Sequence, residues 1–342
     1  MSDWNCEDDF IDSLTFVLFN PQVDEKNRTK VKEFLLRENL RFVDTIKFTL
    51  AVFKNKELIA TGSLDDDVLK CFAIREDFRK KGLTNKILNI LTEEAFKNNK
   101  THLFIYTKPE NCELFESLGY HKIIKIPELV VLMENKSNGL KKYLDRLKKH
   151  KVDGNKISSI VMNCNPFTNG HLYLVEKAAR ENDIVHLFVL TEDKSEFSAE
   201  DRMKMVKLGT KHLENVIIHP AGKYIISSAT FPSYFIKDEK NIVKAHAYLD
   251  LTLFSKYIAK ALDINRRYVG EEPYSNLTRE YNYYMKEILP EFGISVIEVS
   301  RKEFNKNAIS ASKVRNLLSE GKIQEVKELV PKTTFDYLMN LK

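Results

Sequence analysis

The sequence predicts an α/β protein in two parts, an α+β first part followed by a doubly wound parallel sheet. Three observations predict it. Between Thr45 and Met133 strand-like runs dominate and are divided by short polar turns. From Ile157 onward, β-branched runs alternate one for one with helical periodicity, the pattern of parallel strands joined by crossover helices. Between these regions a basic helix, Leu140 to Lys149, and the polar break Val152-Asp-Gly-Asn-Lys156 mark a boundary. The division is therefore residues 1–134, a linker at 135–155, and 156–342. A chain of 342 residues is long enough to give each part its own core.

Composition narrows the class of protein. With 43% hydrophobic and 30% charged residues, and no apolar run near the roughly 20 residues that span a bilayer, a soluble globular protein with no membrane partner is expected. The opening Met1-Ser-Asp-Trp-Asn-Cys-Glu-Asp-Asp9 lacks the basic-then-apolar order of a secretory signal, which points to the cytoplasm. The charge of +5 comes from 54 basic against 49 acidic side chains, an interspersed surface that implies no nucleic-acid partner. The densest basic cluster is Lys141, Lys142, Arg146, Lys148, Lys149 and Lys151. It fits a solvated helix face or a dock for an acidic partner. The four cysteines, Cys6, Cys71, Cys112 and Cys164, have no C-x-x-C spacing and read as reduced thiols, so no metal ligands are assigned.

In the first part, residues 10 to 19 are apolar and acidic. Asn27 to Glu38 has helical spacing through Val31, Phe34 and Leu35. Thr45–Phe53 and Glu57–Leu64 flank the polar turn Lys54-Asn55-Lys56 and read as a hairpin. Strand Val68–Ile74 leads through Arg75-Glu-Asp-Phe-Arg79-Lys-Lys-Gly82-Leu-Thr84 into a long helix carrying Ile87, Leu88, Ile90, Leu91 and Ala95. Leu103–Thr107 is a further strand, Asn111–Leu118 a helix closed by Gly119-Tyr120, and Ile123–Met133 supplies the last one or two strands. Over roughly residues 10–134 this pattern resembles the acyl-CoA N-acyltransferase superfamily, on Arg79-x-x-Gly82-x-Thr84 and on Asn111 to Tyr120. The resemblance implies a loop whose backbone N–H groups meet the pyrophosphate of coenzyme A. Thr84 stands where that family has a small residue, and no catalytic base is evident. A binding module for a pantetheine-like arm, with Arg79 and Gly82 as its candidates, and a helix N-terminus kept for structure both fit.

In the second part, strand Ile157–Met162 leads into the turn Asn163-Cys-Asn165-Pro166-Phe167-Thr168-Asn-Gly170-His171, and helical spacing resumes at Leu172. Strand Ile184–Leu190, helix Ala199–His212, strand Val216–His219 and a helix over Ile242–Leu262 follow. Strand Arg267–Val269, helix Thr278–Ile288, strand Ser295–Val299, helix Ser310–Leu318 and a helix beyond Ile323 complete the alternation. Ligands of such sheets bind at the carboxyl ends of the strands, where the first turn lies.

That turn is suited to an anion, because helix-start N–H groups, the positive end of the helix dipole and an imidazole converge there. Thr168-Asn-Gly170-His171, together with Ile309-Ser310-Ala-Ser312-Lys313-Val-Arg315, resembles the two signatures of the nucleotidyltransferase superfamily, which has a Rossmann-like fold. Attack on the α-phosphate of ATP spreads charge over phosphate oxygens and the departing pyrophosphate, so the chemistry needs positioning and fixed charge rather than a covalent nucleophile. His171, Thr168 and Lys313 are the candidate catalytic residues. Asn165, Pro166, Phe167, Gly170, Ser310, Ser312 and Arg315 are the candidate ATP-binding residues. Taken singly, Ser310 also fits a simple N-cap and His171 a packed helix-start residue. His246 and Asp250 lie four apart on one helix and fit either a substrate or arm site or a structural polar pair. Lys194 fits a phosphate contact or a solvated turn, and Cys164 a buried strand-end residue better than a nucleophile.

Across nearly the whole chain the sequence resembles the citrate lyase ligase family. The resemblance rests on both motifs above, on Val131-Leu-Met-Glu-Asn135, on Ser228-Ala-Thr-Phe-Pro-Ser-Tyr-Phe-Ile236, and on Gly270-Glu-Glu-Pro-Tyr274 with Thr278-Arg279-x-Tyr281-Asn282. It implies an AMP-forming acid–thiol ligase that uses ATP with Mg²⁺. Acetate becomes acetyl adenylate, and the acetyl group passes to the thiol of the phosphoribosyl-dephospho-CoA arm on the citrate lyase acyl carrier subunit, activating citrate lyase. An adenylyltransferase making a nucleotide cofactor, of the pantetheine-phosphate or nicotinate type, is the alternative that the same two motifs admit. A bare acyltransferase is a third.

Overall fold

The computed structural model describes residues 10–191, 195–227, 231, 233–236, 239–272, 275–301, 303–304 and 307–341. It divides into two compact units: Met1–Leu140 with Pro232–Ala245, and Lys141–Phe231 with His246–Lys342. The chain thus leaves the second unit at Phe231 and rejoins it at His246, an excursion that a single cut near residue 135 does not contain.

The first unit is built on a seven-stranded sheet of β1 (Thr15–Phe19), β2 (Phe48–Lys54), β3 (Glu57–Asp65), β4 (Val68–Ile74), β5 (Phe104–Thr107), β6 (His121–Ile126) and β7 (Val130–Glu134), in the order β1-β2-β3-β4-β5-β7-β6. Strand β1 adds to the elements read from sequence. Its mixed burial carries no alternation, so an edge strand there is hard to see in the residues. Helices α1 (Glu25–Arg37), α2 (Leu83–Lys97) and α3 (Cys112–Ser117) accompany it, and α4 (Gly139–Lys148) begins at Gly139 and continues into the second unit from Lys141. Helix α2 buries Leu83, Ile87, Leu88, Leu91 and Ala95 as its spacing requires. A Cβ at Gly62 of β3 would stand 2.6 Å from Ile87 Cγ2, so glycine lets this helix lie close on the sheet.

One pairing in this sheet is incomplete. Strands β4 and β5 run parallel, but only Val68 with Phe104 and Leu69 with Ile105 are in register. Beyond them β4 carries a bulge against β3, where the register shifts between Thr61 and Ser63, and Cys71 takes the left-handed φ of 56°. The two strands part from that point.

The second unit holds a five-stranded sheet in which every pairing is parallel: β8 (Ile157–Met162), β9 (Ile184–Val189), β10 (Val216–Pro220), β11 (Arg266–Gly270) and β12 (Ser295–Val299), in the order β10-β9-β8-β11-β12. Ile157, Ser158, Ser159 and Ile160 of β8 are buried, as befits a central strand covered on both faces. The strand order reverses at β8, whose neighbours lead away on either side. A crevice opens at the carboxyl end of such a switch strand. The helices are α5 (Asn169–Glu181), α6 (Ala199–Gly209), α7 (Glu239–Leu253, followed by a π-helical turn Phe254–Ala259 and Lys260–Leu262), α8 (Asn276–Glu291), α9 (Ala311–Ser319), α10 (Ile323–Val326) and α11 (Lys332–Asn340). Among the described residues no helix is long and apolar enough to cross a membrane.

Candidate active site

The turn after β8 is fixed from several directions. Thr168 caps α5, its hydroxyl accepting the His171 N–H at 3.3 Å, while the Thr168 N–H donates to His171 Nδ1 at 3.0 Å. A backbone N–H can only donate, so Nδ1 is the accepting nitrogen and the proton of the neutral ring sits on Nε2. Burial of the imidazole, then the nearby Arg301 cation, lowers its pKa to about 4. At neutral pH His171 is therefore an uncharged Nε2–H donor at a helix N-terminus. Its ring stacks on Phe167 with centroids 5.9 Å apart and planes 11° apart, and Phe167 is fully buried. A Cβ at Gly209 of α6 would lie 2.6 Å from Phe167 Cε1, so the aromatic floor of the turn depends on that glycine.

The second motif meets the first. Arg315 Nη1 donates to the Asn165 carbonyl at 2.7 Å across 150 residues of sequence, and its Nη2 donates to Ser312 Oγ at 3.1 Å. Gly170 faces the same strand end of α9, with Ile309 O only 3.4 Å from where a Cβ would stand. Ser310 caps α9 by accepting the Lys313 N–H at 3.2 Å. Lys313 and Ser312 are exposed at that helix start. Asn165 contributes its side chain to the loop before α6, accepting the Phe197 N–H at 3.1 Å.

The structure thus brings together the turn residues Asn165, Pro166, Phe167, Thr168, Gly170 and His171 with Ile309, Ser310, Ser312, Lys313 and Arg315 at the start of α9. Some of these groups are already engaged. Thr168 is 1% exposed and its hydroxyl belongs to the cap, which makes it a positioning residue for His171. The remaining candidates lie elsewhere. His246 Nε2 donates to the Ile226 carbonyl at 2.7 Å, and Asp250 accepts the Ile226 N–H at 2.7 Å and the Tyr281 hydroxyl at 2.5 Å. That pair clamps the N–H and the C=O of one residue, Ile226, in the loop after β10. In the first unit, Arg79 donates to the Ile74 carbonyl and to Glu38, and Gly82 starts α2 at a left-handed φ of 71°. Cys164 is fully buried, and burial pushes its thiol far above the ordinary range, which leaves it inert. Lys194 lies outside the described residues, as do Cys6, Ser228–Thr230, Pro232, Pro273 and Tyr274 of the tracts read from sequence.

Two arginines complete the site without having been singled out in the sequence. Arg202 of α6 is fully buried and ties strand ends together, donating to the Asn163 carbonyl and side chain and to the Leu190 carbonyl at 2.5–3.0 Å. Its spacing with Met205, Val206 and Gly209 on one buried helix face was the available signal. Arg301 follows β12, donates to the Glu271 carbonyl at 2.7 Å, pairs with Glu272, and acts electrostatically on His171. Nothing local marks it. Among the described residues no group of three or more His, Cys, Asp or Glu side chains could hold a metal ion.

This constellation can be set beside known proteins. Residues 157–338 match the citrate lyase ligase C-terminal domain, and residues 11–120 match the acetyltransferase (GNAT) family. The citrate (pro-3S)-lyase ligase of Escherichia coli K12 is 40% identical over 323 residues, covering 93% of this chain and 92% of that protein. This chain belongs to the citrate lyase ligase family. The Klebsiella pneumoniae member is 39% identical over 334 residues, 96% of this chain and 98% of its own length. A phosphopantetheine adenylyltransferase of Symbiobacterium thermophilum is also 39% identical, but over 66 residues, 19% of this chain and 41% of that protein. The family match therefore spans both units, whereas the adenylyltransferase match is confined to a fifth of the chain. The chain is a ligase whose first unit resembles the acetyltransferase (GNAT) family and whose second unit is built on a parallel sheet.

Proposed function

We propose that the second unit activates acetate with ATP and passes the acetyl group to the thiol of the prosthetic arm on the citrate lyase acyl carrier subunit. An acetate oxygen attacks the α-phosphorus, the bond to the bridging oxygen of the β-phosphate breaks, and pyrophosphate leaves. The carrier thiol then attacks the acyl carbon, AMP departs, and the thiol proton passes to solvent. The observation that carries the reading is the neutral His171. With Nδ1 held by the Thr168 N–H, its Nε2–H is a fixed donor for an α-phosphate oxygen as charge develops there. The exposed N-terminus of α9, with Ser312 and Lys313, is the complementary place for the β- and γ-phosphates. Arg315 holds that helix start against the opening turn through Asn165. Arg301 adds a cation near His171.

The residues do not form a protein cage for Mg²⁺, since the described side chains contain no three-carboxylate or histidine group. The ion would arrive on the triphosphate, as suits its preference for phosphate oxygens and water, and no step here is assigned to it. The test is exchange of labelled pyrophosphate into ATP with and without acetate. Acetate-dependent exchange is expected. Exchange that ignores acetate and needs a phosphorylated cofactor precursor, such as pantetheine phosphate or nicotinate mononucleotide, would point to a nucleotide-cofactor adenylyltransferase, and acetylation of amines from acetyl-CoA without ATP to a bare acyltransferase; either result overturns the proposal.

A further inference from the structure

The parted strands of the first unit are filled by the chain itself. Tyr234 comes from the excursion that belongs to this unit, and it is 6% exposed. Its hydroxyl donates to the Tyr106 carbonyl of β5 at 2.9 Å, just past the point where the β4–β5 ladder stops after Leu69 and Ile105. A backbone carbonyl inside a sheet is costly to bury unless something meets it. The Tyr234 phenol meets this one. Tyr234 is further secured by its own backbone, whose carbonyl accepts the Arg41 N–H at 2.8 Å, while the Arg41 carbonyl lies 3.6 Å from Cys71 Sγ. Phe235 packs edge-on against the Tyr234 ring, with centroids 5.0 Å apart.

We propose that the β4–β5 gap is a built-in dock for the Ser233–Ile236 segment, so that the first unit anchors this segment and does not take a coenzyme A or pantetheine arm between those strands. An extended arm entering the gap would compete for the Tyr106 carbonyl that Tyr234 already uses. The loop residue Arg79 is committed in the same sense, to Glu38 and Ile74. The inference stands on the first unit alone and survives or fails independently of acetate activation in the second.

Amide hydrogen exchange on the full chain tests it, with coenzyme A as the probe. In the wild-type protein the Arg41 amide should be protected, and saturating coenzyme A should leave it unchanged. Tyr234→Phe keeps the ring and the main-chain bond, so Arg41 should stay protected. Tyr234→Ala removes the buried ring and should speed Arg41 exchange at least tenfold. The Phe104 amide, which donates to the Asp67 carbonyl in the paired part of the gap, should stay protected throughout and report an intact fold. Coenzyme A that speeds Arg41 exchange in the wild-type protein would overturn the proposal. So would wild-type Arg41 exchanging freely, or Arg41 remaining protected in Tyr234→Ala.

Discussion

Both units contain a strand, a loop and a helix N-terminus of the kind that binds phosphates, and the two have opposite fates. After β8, the donors of the turn are kept: His171 is uncharged, held by its Nδ1, and presents Nε2–H. After β4, they are spent: Arg79 is paired with Glu38, and the neighbouring strand gap is occupied by Tyr234. A helix N-terminus is thus a precondition for anion chemistry and not a sign of it. What separates the two is whether the side chains around the turn have satisfied each other.

Removing the retained donor is the strongest way to break this contrast. His171→Ala should lower acetate-dependent pyrophosphate exchange by about 100-fold or more, the usual consequence of losing one preorganised donor to developing charge. The melting temperature should change little by comparison, because the ring makes its polar contacts within its own turn. A well-folded variant with normal exchange would remove His171 from the chemistry.

Gly209→Ala attacks the same turn from below. Its new Cβ would overlap the buried Phe167 ring on which His171 stacks, and overpacking of this kind costs about 1–3 kcal/mol. Thermal unfolding should report that loss, and exchange activity should fall by less than in His171→Ala. An unchanged melting temperature would mean that the ring can move aside.

Much of this was legible before the structure. The β-branched runs gave the parallel strands, and the motifs from Thr168 to His171 and from Ile309 to Arg315 marked two stretches that the structure joins through Arg315 and Asn165. The sequence did not disclose which polar groups were already used. Ser310 and Thr168 carry the hydroxyls that both a cap and a phosphate contact require, and only their bonds to Lys313 and His171 distinguish the roles. Arg301 and the role of Tyr234 escaped for another reason. Their partners are remote in sequence, 128 residues away for the Tyr234 hydroxyl, and no local pattern encodes such a pairing.

Acid should expose a smaller difference, within the second unit. Burial lowers the pKa of His171 and His186 to about 4 and of His219 to about 3, the last two rings sharing a 2.9 Å hydrogen bond. In the unfolded chain each returns to about 6.5, so between that value and the folded pKa the unfolded state binds more protons. Stability is then complete above about pH 6.5 and declines as pH falls toward 4. Melting temperatures measured from pH 7.5 to 4.5 should fall accordingly, with a shallower slope in His171→Ala. Equal slopes would mean that His171 titrates normally in the folded protein.

The smallest effect is expected in the first unit, and it sharpens the comparison by its size. Arg79 is the residue that in a phosphate-binding loop would be costly to lose, yet its guanidinium is half exposed and paired with Glu38 at 3.0 Å. An exposed pair of this kind contributes at most about 1 kcal/mol. Arg79→Ala should therefore leave acetate-dependent exchange and transfer to the carrier thiol within about twofold, and shift the melting temperature only slightly. A large rise in the KM for the carrier, with exchange intact, would return the loop after β4 to the list of functional sites. It would also mean that spent donors can be released when the arm arrives. The fixed bonds of Tyr234 argue against that release, because a segment held through its hydroxyl on Tyr106 and its carbonyl on Arg41 loses both contacts together if it leaves.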